Sequence, residues 1–234
     1  MEEKKEGDLL RKEIKEIVAR GEHFLEKALE RACEEGRKDL VEELIEKGAE
    51  NWNTGMCGAA RRGKGEIVVE MIRRGANDFE RGLKEAGKSG KIEVVDIFLE
   101  KGARDYHQVL LEACKRGDEK MVCDLEKKVK LSCNAHDFSI AGAAYKGDKE
   151  LMEKMLKKRL TKYNSFTNWS FAFTYACEGG NKEMVAYILK KGVKREYKEM
   201  GVYNALRNGH EEVYSFLTGR RMSLYQDFGT ICSK

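Results

Sequence analysis

Eight consecutive residues, Gly82-Leu83-Lys84-Glu85-Ala86-Gly87-Lys88-Ser89, spell the pattern G-x-x-x-x-G-K-[ST] in full. A loop of this kind binds a nucleotide when its backbone N–H groups wrap the phosphates and its lysine reaches the outer oxygens. It needs a buried strand before it and a helix after it. Neither condition is met. The preceding residues, Arg73-Arg74-Gly75-Ala76-Asn77-Asp78, read as a turn. Leu83 and Ala86 repeat the positions that Met56 and Ala59 hold in an upstream segment. Residues 79–89 are therefore expected to be helix with their N–H groups already bonded, and no nucleotide or other cofactor is expected.

Sulfur and imidazole come next. Cys133-Asn134-Ala135-His136 puts two zinc-type ligands in one expected loop, with Cys123 ten residues before it. A structural zinc site takes four ligands at consistent spacing, and the fourth is missing, so no metal is expected. Cys33, Cys114 and Cys177 each directly follow an alanine that recurs along the chain, where two other segments carry Ala60 and Ala144. They read as small apolar fillers. His23, His107 and His210 pair with no nucleophile. The chemistry-bearing residues thus point away from an enzyme and away from a small-molecule substrate.

The elements that hold these residues recur. Glycine falls at Gly36, Gly63, Gly90, Gly117, Gly147, Gly180 and Gly209, at steps of 27, 27, 27, 30, 33 and 29 residues. Alanine stands four residues before each, at Ala32, Ala59, Ala86, Ala113, Ala143, Ala176 and Ala205. Eight residues after each glycine comes Leu44, Met71, Phe98, Leu125, Met155, Ile188 or Leu217, preceded by an apolar pair in most units. These positions make one apolar face of a helix. A period of this size denotes stacked supersecondary units. Upstream of each alanine lies a second short helix, whose start is marked by Asn51-Trp52, Asp78-Phe79, Asp105-Tyr106 and Asn168-Trp169. The Asn or Asp oxygen accepts from a free first-turn N–H there, a cap worth about 1 kcal/mol.

A second glycine series, Gly48, Gly75, Gly102 and Gly192, ends the other helix of the unit. Val129 and Arg159 replace it in units four and five, where longer and less regular turns are expected. Residues 1–21 are expected to form a charged segment and a half-repeat capping helix, with Leu10, Ile14, Ile17 and Val18 at helical spacing. Residues 22–218 make seven repeats in one solenoid, and 219–234 an irregular cap or tail. The expected fold class is all-α, a helical-hairpin solenoid with short turns.

The alanine, the glycine, the apolar pairs and the following Gly-Ala together resemble the ankyrin repeat. Thr54-Gly55-Met56-Cys57-Gly58-Ala59 stands where that repeat has Thr-Pro-Leu-His-x-Ala, and Gly209-His210 keeps its Gly-His pair. The regular unit here is 27 residues against about 33 in ankyrin, which fits loss of the β-hairpin finger. Finger-poor, degenerate repeats of this kind resemble the ankyrin-like proteins of large DNA viruses. The resemblance implies a role in binding other proteins, with no chemistry of the chain's own and a host protein as partner.

Composition supports a solvated helical surface. Charged residues make up 37% of the chain and no proline is present, so 23 glycines carry the punctuation. Residues 1–50 hold 11 Lys and Arg against 16 Asp and Glu, whereas 151–234 hold 15 against 8. The opening Met1-Glu2-Glu3-Lys4-Lys5-Glu6 has no apolar signal core, and no run reaches the roughly 18 apolar residues of a membrane span. With seven cysteines, an odd number, an intracellular, cytoplasmic location is expected. Repeat register places Arg61, Arg62, Lys84, Lys88, Lys115, Arg116 and Tyr145 outward on the first helices, as the expected partner-binding face. An alternative is nucleic-acid binding by a C-terminal basic ridge of Lys157, Lys158, Arg159, Lys162, Lys190, Lys191, Lys194 and Arg195. A structural or assembly role is the third reading. Cations at helix C-termini also favour the helix dipole, which accounts for much of this pattern without any ligand.

Overall fold

The computed structural model describes residues 24–129, 132–163 and 167–222, with 11, 12 and 16. Most of the expected capping helix at 9–18, and residues 223–234, lie outside the described residues. The described chain is all-α and contains no strand. Helices come in pairs, α1 (Leu25–Glu35) with α2 (Lys38–Glu46), α3 (Trp52–Arg61) with α4 (Gly65–Arg73), and α5 (Phe79–Ser89) with α6 (Ile92–Glu100). The pairs continue as α7 (His107–Arg116) with α8 (Glu119–Lys128), α9 (Cys133–Lys146) with α10 (Lys149–Tyr163), α11 (Trp169–Gly179) with α12 (Lys182–Leu189), and α13 (Arg195–Arg207) with α14 (Glu211–Thr218).

The alanine–glycine spacing has two physical causes. Each repeat alanine is fully buried, so only a methyl group fits where helices approach. Its carbonyl also closes the turn: Ala143 O accepts from the N–H of Asp148 at 3.0 Å while Gly147 adopts φ 76°, the left-handed conformation glycine takes at no cost. The same bond runs from Lys64 to Ala59 at 2.9 Å and from His210 to Ala205 at 2.8 Å. At the other ends, Thr54 donates to Asn51 Oδ1 at 3.1 Å, Arg81 to Asp78 Oδ1 at 3.2 Å and Phe171 to Asn168 Oδ1 at 3.1 Å. Helix α7 begins at His107, whose Nδ1 lies 2.7 Å from Asp105 Oδ1.

The chain divides into two units, residues 1–109 and 110–234. In the first, the first helices α1, α3 and α5 pack in succession, each backed by its partner, and α4 lies against α6. Its core runs through Leu29, Leu44, Met56, Met71, Leu83 and Phe98. In the second, α9, α11 and α13 pack in succession, with α10, α12 and α14 as partners and α12 against α14. Leu110, Leu125, Met155, Phe173 and Ile188 fill that core, whereas Leu217 is only half-buried.

Successive first helices approach so closely that glycine is required inside them. A Cβ on Gly58 would lie 2.8 Å from the Glu30 carbonyl oxygen of α1. One on Gly142 would lie 2.5 Å from the Leu111 carbonyl oxygen and 2.7 Å from Cys114 Cβ of α7. Backbone cannot swing aside, so packing sets these residues against helix propensity.

The irregular fifth unit differs from expectation in an informative way. Without a glycine at 159, α10 does not turn but continues for 15 residues to Tyr163. Arg159 is 2% exposed, and its Nε lies 2.8 Å from Asp137 Oδ1 on α9. A buried ion pair therefore joins the two helices where other units have a turn.

Candidate functional site

Gly82, Gly87, Lys88 and Ser89, the fixed residues of the phosphate-loop pattern, each have a structural task. Residues 79–89 form α5. A Cβ on Gly82 would run into the Phe98 ring, and one on Gly87 would sit 2.8 Å from Val109 Cα, so both glycines serve close packing. Lys88 Nζ lies 2.9 Å from Glu85 Oε1, and Ser89 Oγ donates to Ala86 O at 2.7 Å. The N–H groups that would wrap a phosphate are engaged in the helix.

Four buried cysteines are held as thiols. Burial pushes Cys33, Cys114 and Cys177 up to about 12 and Cys57 up to about 11; the charges of Glu30 and Glu34 add to the effect at Cys33. A thiol held this far above neutrality supplies little thiolate for nucleophilic attack near pH 7. The expected loop at 133–136 is instead the first turn of α9, opened by Ser132, whose Oγ accepts from the Ala135 N–H at 3.2 Å. His136 is buried on that helix. Among the described residues no three His, Cys, Asp or Glu side chains converge as a metal site.

On the first-helix face, the expected binding residues divide into two kinds. Arg61 is fixed internally. It pairs with Glu34 of α1, its Nη2 lies 3.4 Å from Glu30 Oε1, and its Nε lies 2.7 Å from Glu85 Oε2 of α5. Burial works most strongly against the Glu85 charge, but hydrogen bonds from Arg61 and Lys88 outweigh it and hold the carboxyl below its ordinary range. Lys115 is equally enclosed, with its side chain 16% exposed. Its Nζ sits 4.4 Å from the Tyr145 ring centroid and 5.1 Å from that of Tyr175, with Glu178 at 3.6 Å and Glu112 at 3.8 Å. Cation–π contacts of this kind contribute about 0.5–2 kcal/mol. Burial, with the neighbouring Glu178 and Glu112 charges, raises the Tyr175 phenol. By contrast Arg62, Lys84, Lys88 and Arg116 are exposed, as is Arg81, one turn from Lys84.

The expected basic ridge is interrupted. Arg159 is buried against Asp137 and is no part of a surface. Lys158 is drawn to Glu126 at 2.6 Å, and Lys191 stands over the Tyr187 ring at 4.9 Å and the Trp169 ring at 5.9 Å. Arg195 lies 3.6 Å from Glu199. Lys157, Lys190 and Lys194 are exposed, and the Lys162 side chain lies outside the described residues.

One set of positioning residues escaped sequence reading. Glu26 on α1 accepts the N–H groups of Glu50 and Asn51 at 3.1 and 3.0 Å. Asn53 Oδ1 accepts those of Asn77 and Asp78 at 2.8 and 2.9 Å. Glu80 accepts those of Arg104 and Asp105 at 2.8 and 2.9 Å. Residues 26, 53 and 80 follow the 27-residue step, and Ser170 takes the Lys194 N–H in the same way at 3.1 Å. Each side chain grips the turn that leads into the next first helix. A second link lies at the hairpin turns, where His210 Nε2 donates to the Glu178 carbonyl at 2.8 Å.

These elements define an all-α protein of stacked helical hairpins. No protein-family model matches the chain, and no curated protein matches it. Among solved structures it is similar to the human ASB11 ankyrin repeat domain, at 19% identity over 82% of each chain and with a TM-score of 0.33. The described helices include none long and apolar enough to cross a membrane.

Proposed function

We propose that the chain is a non-catalytic scaffold that holds another protein on the face made by its first helices. The observation that carries this reading is on α5. Arg81, Lys84 and Lys88 follow one another at i, i+3 and i+7 on the exposed side of the helix, and Arg62 is exposed at the end of α3. The helix beneath them is fixed by the Asn53 grip and by the Arg61–Glu85 pair. A rigid helix presenting cations suits an acidic protein surface, because little side-chain ordering beyond the cations is needed on binding. Arg61 and Lys115 serve this reading from beneath, as positioning residues.

The resemblance to degenerate ankyrin-like proteins of large DNA viruses supports a host cytoplasmic protein as the partner. Charge reversal at Arg62, Arg81 and Lys84 tests the face. Loss of the partner recovered by wild type, with the helical circular dichroism spectrum unchanged, is the expected result. Undiminished recovery by the charge-reversed protein would place the partner elsewhere.

A further inference from the structure

The residue after each repeat glycine stands at the N-cap of a second helix, where a side-chain oxygen is favoured and the helix dipole opposes a cation. The second unit largely keeps to that rule. Asp118, Asp148 and Asn181 accept the N–H groups of Met121, Leu151 and Met184 at 3.0, 3.0 and 2.8 Å, and only His210 departs. The first unit breaks it at every repeat. Its three residues there are Arg37, Lys64 and Lys91, and none makes a side-chain cap bond. Arg37 is turned to Asp39, its Nη2 2.9 Å from Oδ2. Lys64 and Lys91 instead lie across the glycine of the preceding turn. Lys64 Cδ is 3.1 Å from where a Cβ on Gly36 would stand, and Lys91 Nζ donates to Gly63 O at 3.3 Å.

We infer that an extended acidic segment of the partner runs along this hairpin-turn edge of the first unit, with its carboxylates seated on Lys64 and Lys91. Cations placed where the helix favours an oxygen, in consecutive repeats, break a local rule at a cost in stability, and such breaks mark functional positions. Charge complementarity names the occupant. Arg62 and Lys88 are exposed at the ends of α3 and α5, beside the same two turns. Of the carboxylates in the first turns of α4 and α6, Glu66 is held by Lys38 and Glu93 is exposed. The stems of Lys64 and Lys91 are already laid on glycine, so little of their freedom is lost on binding. Spacing favours an extended chain. Helix α4 lies against α6, and packed helices stand about 8–10 Å apart. Every third residue of an extended segment, at about 3.3 Å per residue, keeps that step.

The inference rests on the acidic partner proposed above and adds where that partner's chain lies. It is tested with the full chain and a fluorescein-labelled oligoglutamate peptide, by fluorescence anisotropy at low salt. Lys64→Asn and Lys91→Asn together supply the missing cap oxygens and remove the two cations. The expected result is affinity about tenfold weaker, as for the loss of two ion pairs, with a raised urea midpoint. Arg73→Gln with Lys101→Gln removes the same charge from the far ends of α4 and α6 and should cost less than about threefold. Equal losses in the two variants, or no binding to wild type, would overturn the edge. So would a lowered urea midpoint in the asparagine variant, because the lysines would then serve the fold. An oligothymidylate of equal charge that binds more tightly through the same lysines would overturn the choice of a protein segment. Partner recovery that needs Lys84 but not Lys64 and Lys91 would overturn the edge and leave the α5 face standing. Peptide binding that needs Lys64 and Lys91 but not Arg81 and Lys84 would support the edge and count against the α5 face.

Discussion

Asn53 and Asp78 are joined across two repeats: Asn53 Oδ1 accepts the backbone N–H of Asp78 at 2.9 Å. Asp78 in turn caps α5, taking the Arg81 N–H on its own side chain. One amide oxygen on α3 thus fixes the entry of the next first helix, and Glu26 and Glu80 do the same for their neighbours. Repeats without strands between them are registered by side chains reaching backbone. Asn53→Leu leaves two N–H groups without that acceptor and is expected to destabilise the fold by about 1–2 kcal/mol. Urea unfolding checks the loss, and Asn53→Asp, which keeps the oxygen, should lose much less.

Gly142 is expected to reject even a methyl group. Alanine favours a helix interior over glycine by up to about 1 kcal/mol, yet its Cβ here would meet the Leu111 carbonyl and Cys114. Overpacking of this kind costs about 1–3 kcal/mol. A lower urea midpoint for Gly142→Ala supports the close approach of α7 and α9, and a higher one contradicts it.

Lys88→Ala should change stability and leave nucleotide affinity untouched. Titration with millimolar ATP is expected to show no saturable binding to either protein. Saturable binding that vanishes in the variant would restore the phosphate-loop reading.

Two groups of side chains give opposite pH dependences. Glu85 is held below its ordinary range in the folded protein, so its contribution is complete above about pH 4.5 and is lost as pH falls through the folded value. Glu85→Gln should flatten part of the acid limb of a stability profile. The buried thiols run the other way. In the unfolded chain they ionise near 9, whereas in the fold Cys33, Cys114 and Cys177 wait until about 12. Their contribution is complete below pH 9 and is lost as pH rises from there. Iodoacetamide should therefore react slowly with these three at pH 9 until urea is added, and fast native labelling would show that they are not buried.

Much of this architecture is legible in the sequence, because its cause is local. The Ala-x-x-x-Gly spacing is the closing bond of one helix and the left-handed turn after it, both within a single unit. The same register predicts helix for the phosphate-loop pattern, and residues 79–89 form α5. What stayed hidden depends on partners in other units. The grip of 26, 53 and 80 needs only an oxygen, so Glu, Asn and Glu stand there in turn and no one residue type marks the position. Arg61 and Lys115 look like free surface cations until residues 24 to 63 positions away close around them. Arg159 looked like ridge until the missing glycine let α10 run on and carry it to Asp137.

The central claim is that a protein binds across the first helices, and cross-linking with mass spectrometry in the native cell tests it most directly. Lysine-reactive cross-links from Lys84 and Lys88 on α5 to acidic segments of one partner are the predicted result. Partner cross-links confined to second-helix lysines such as Lys120, Lys157 and Lys190, with none from α5, would contradict it.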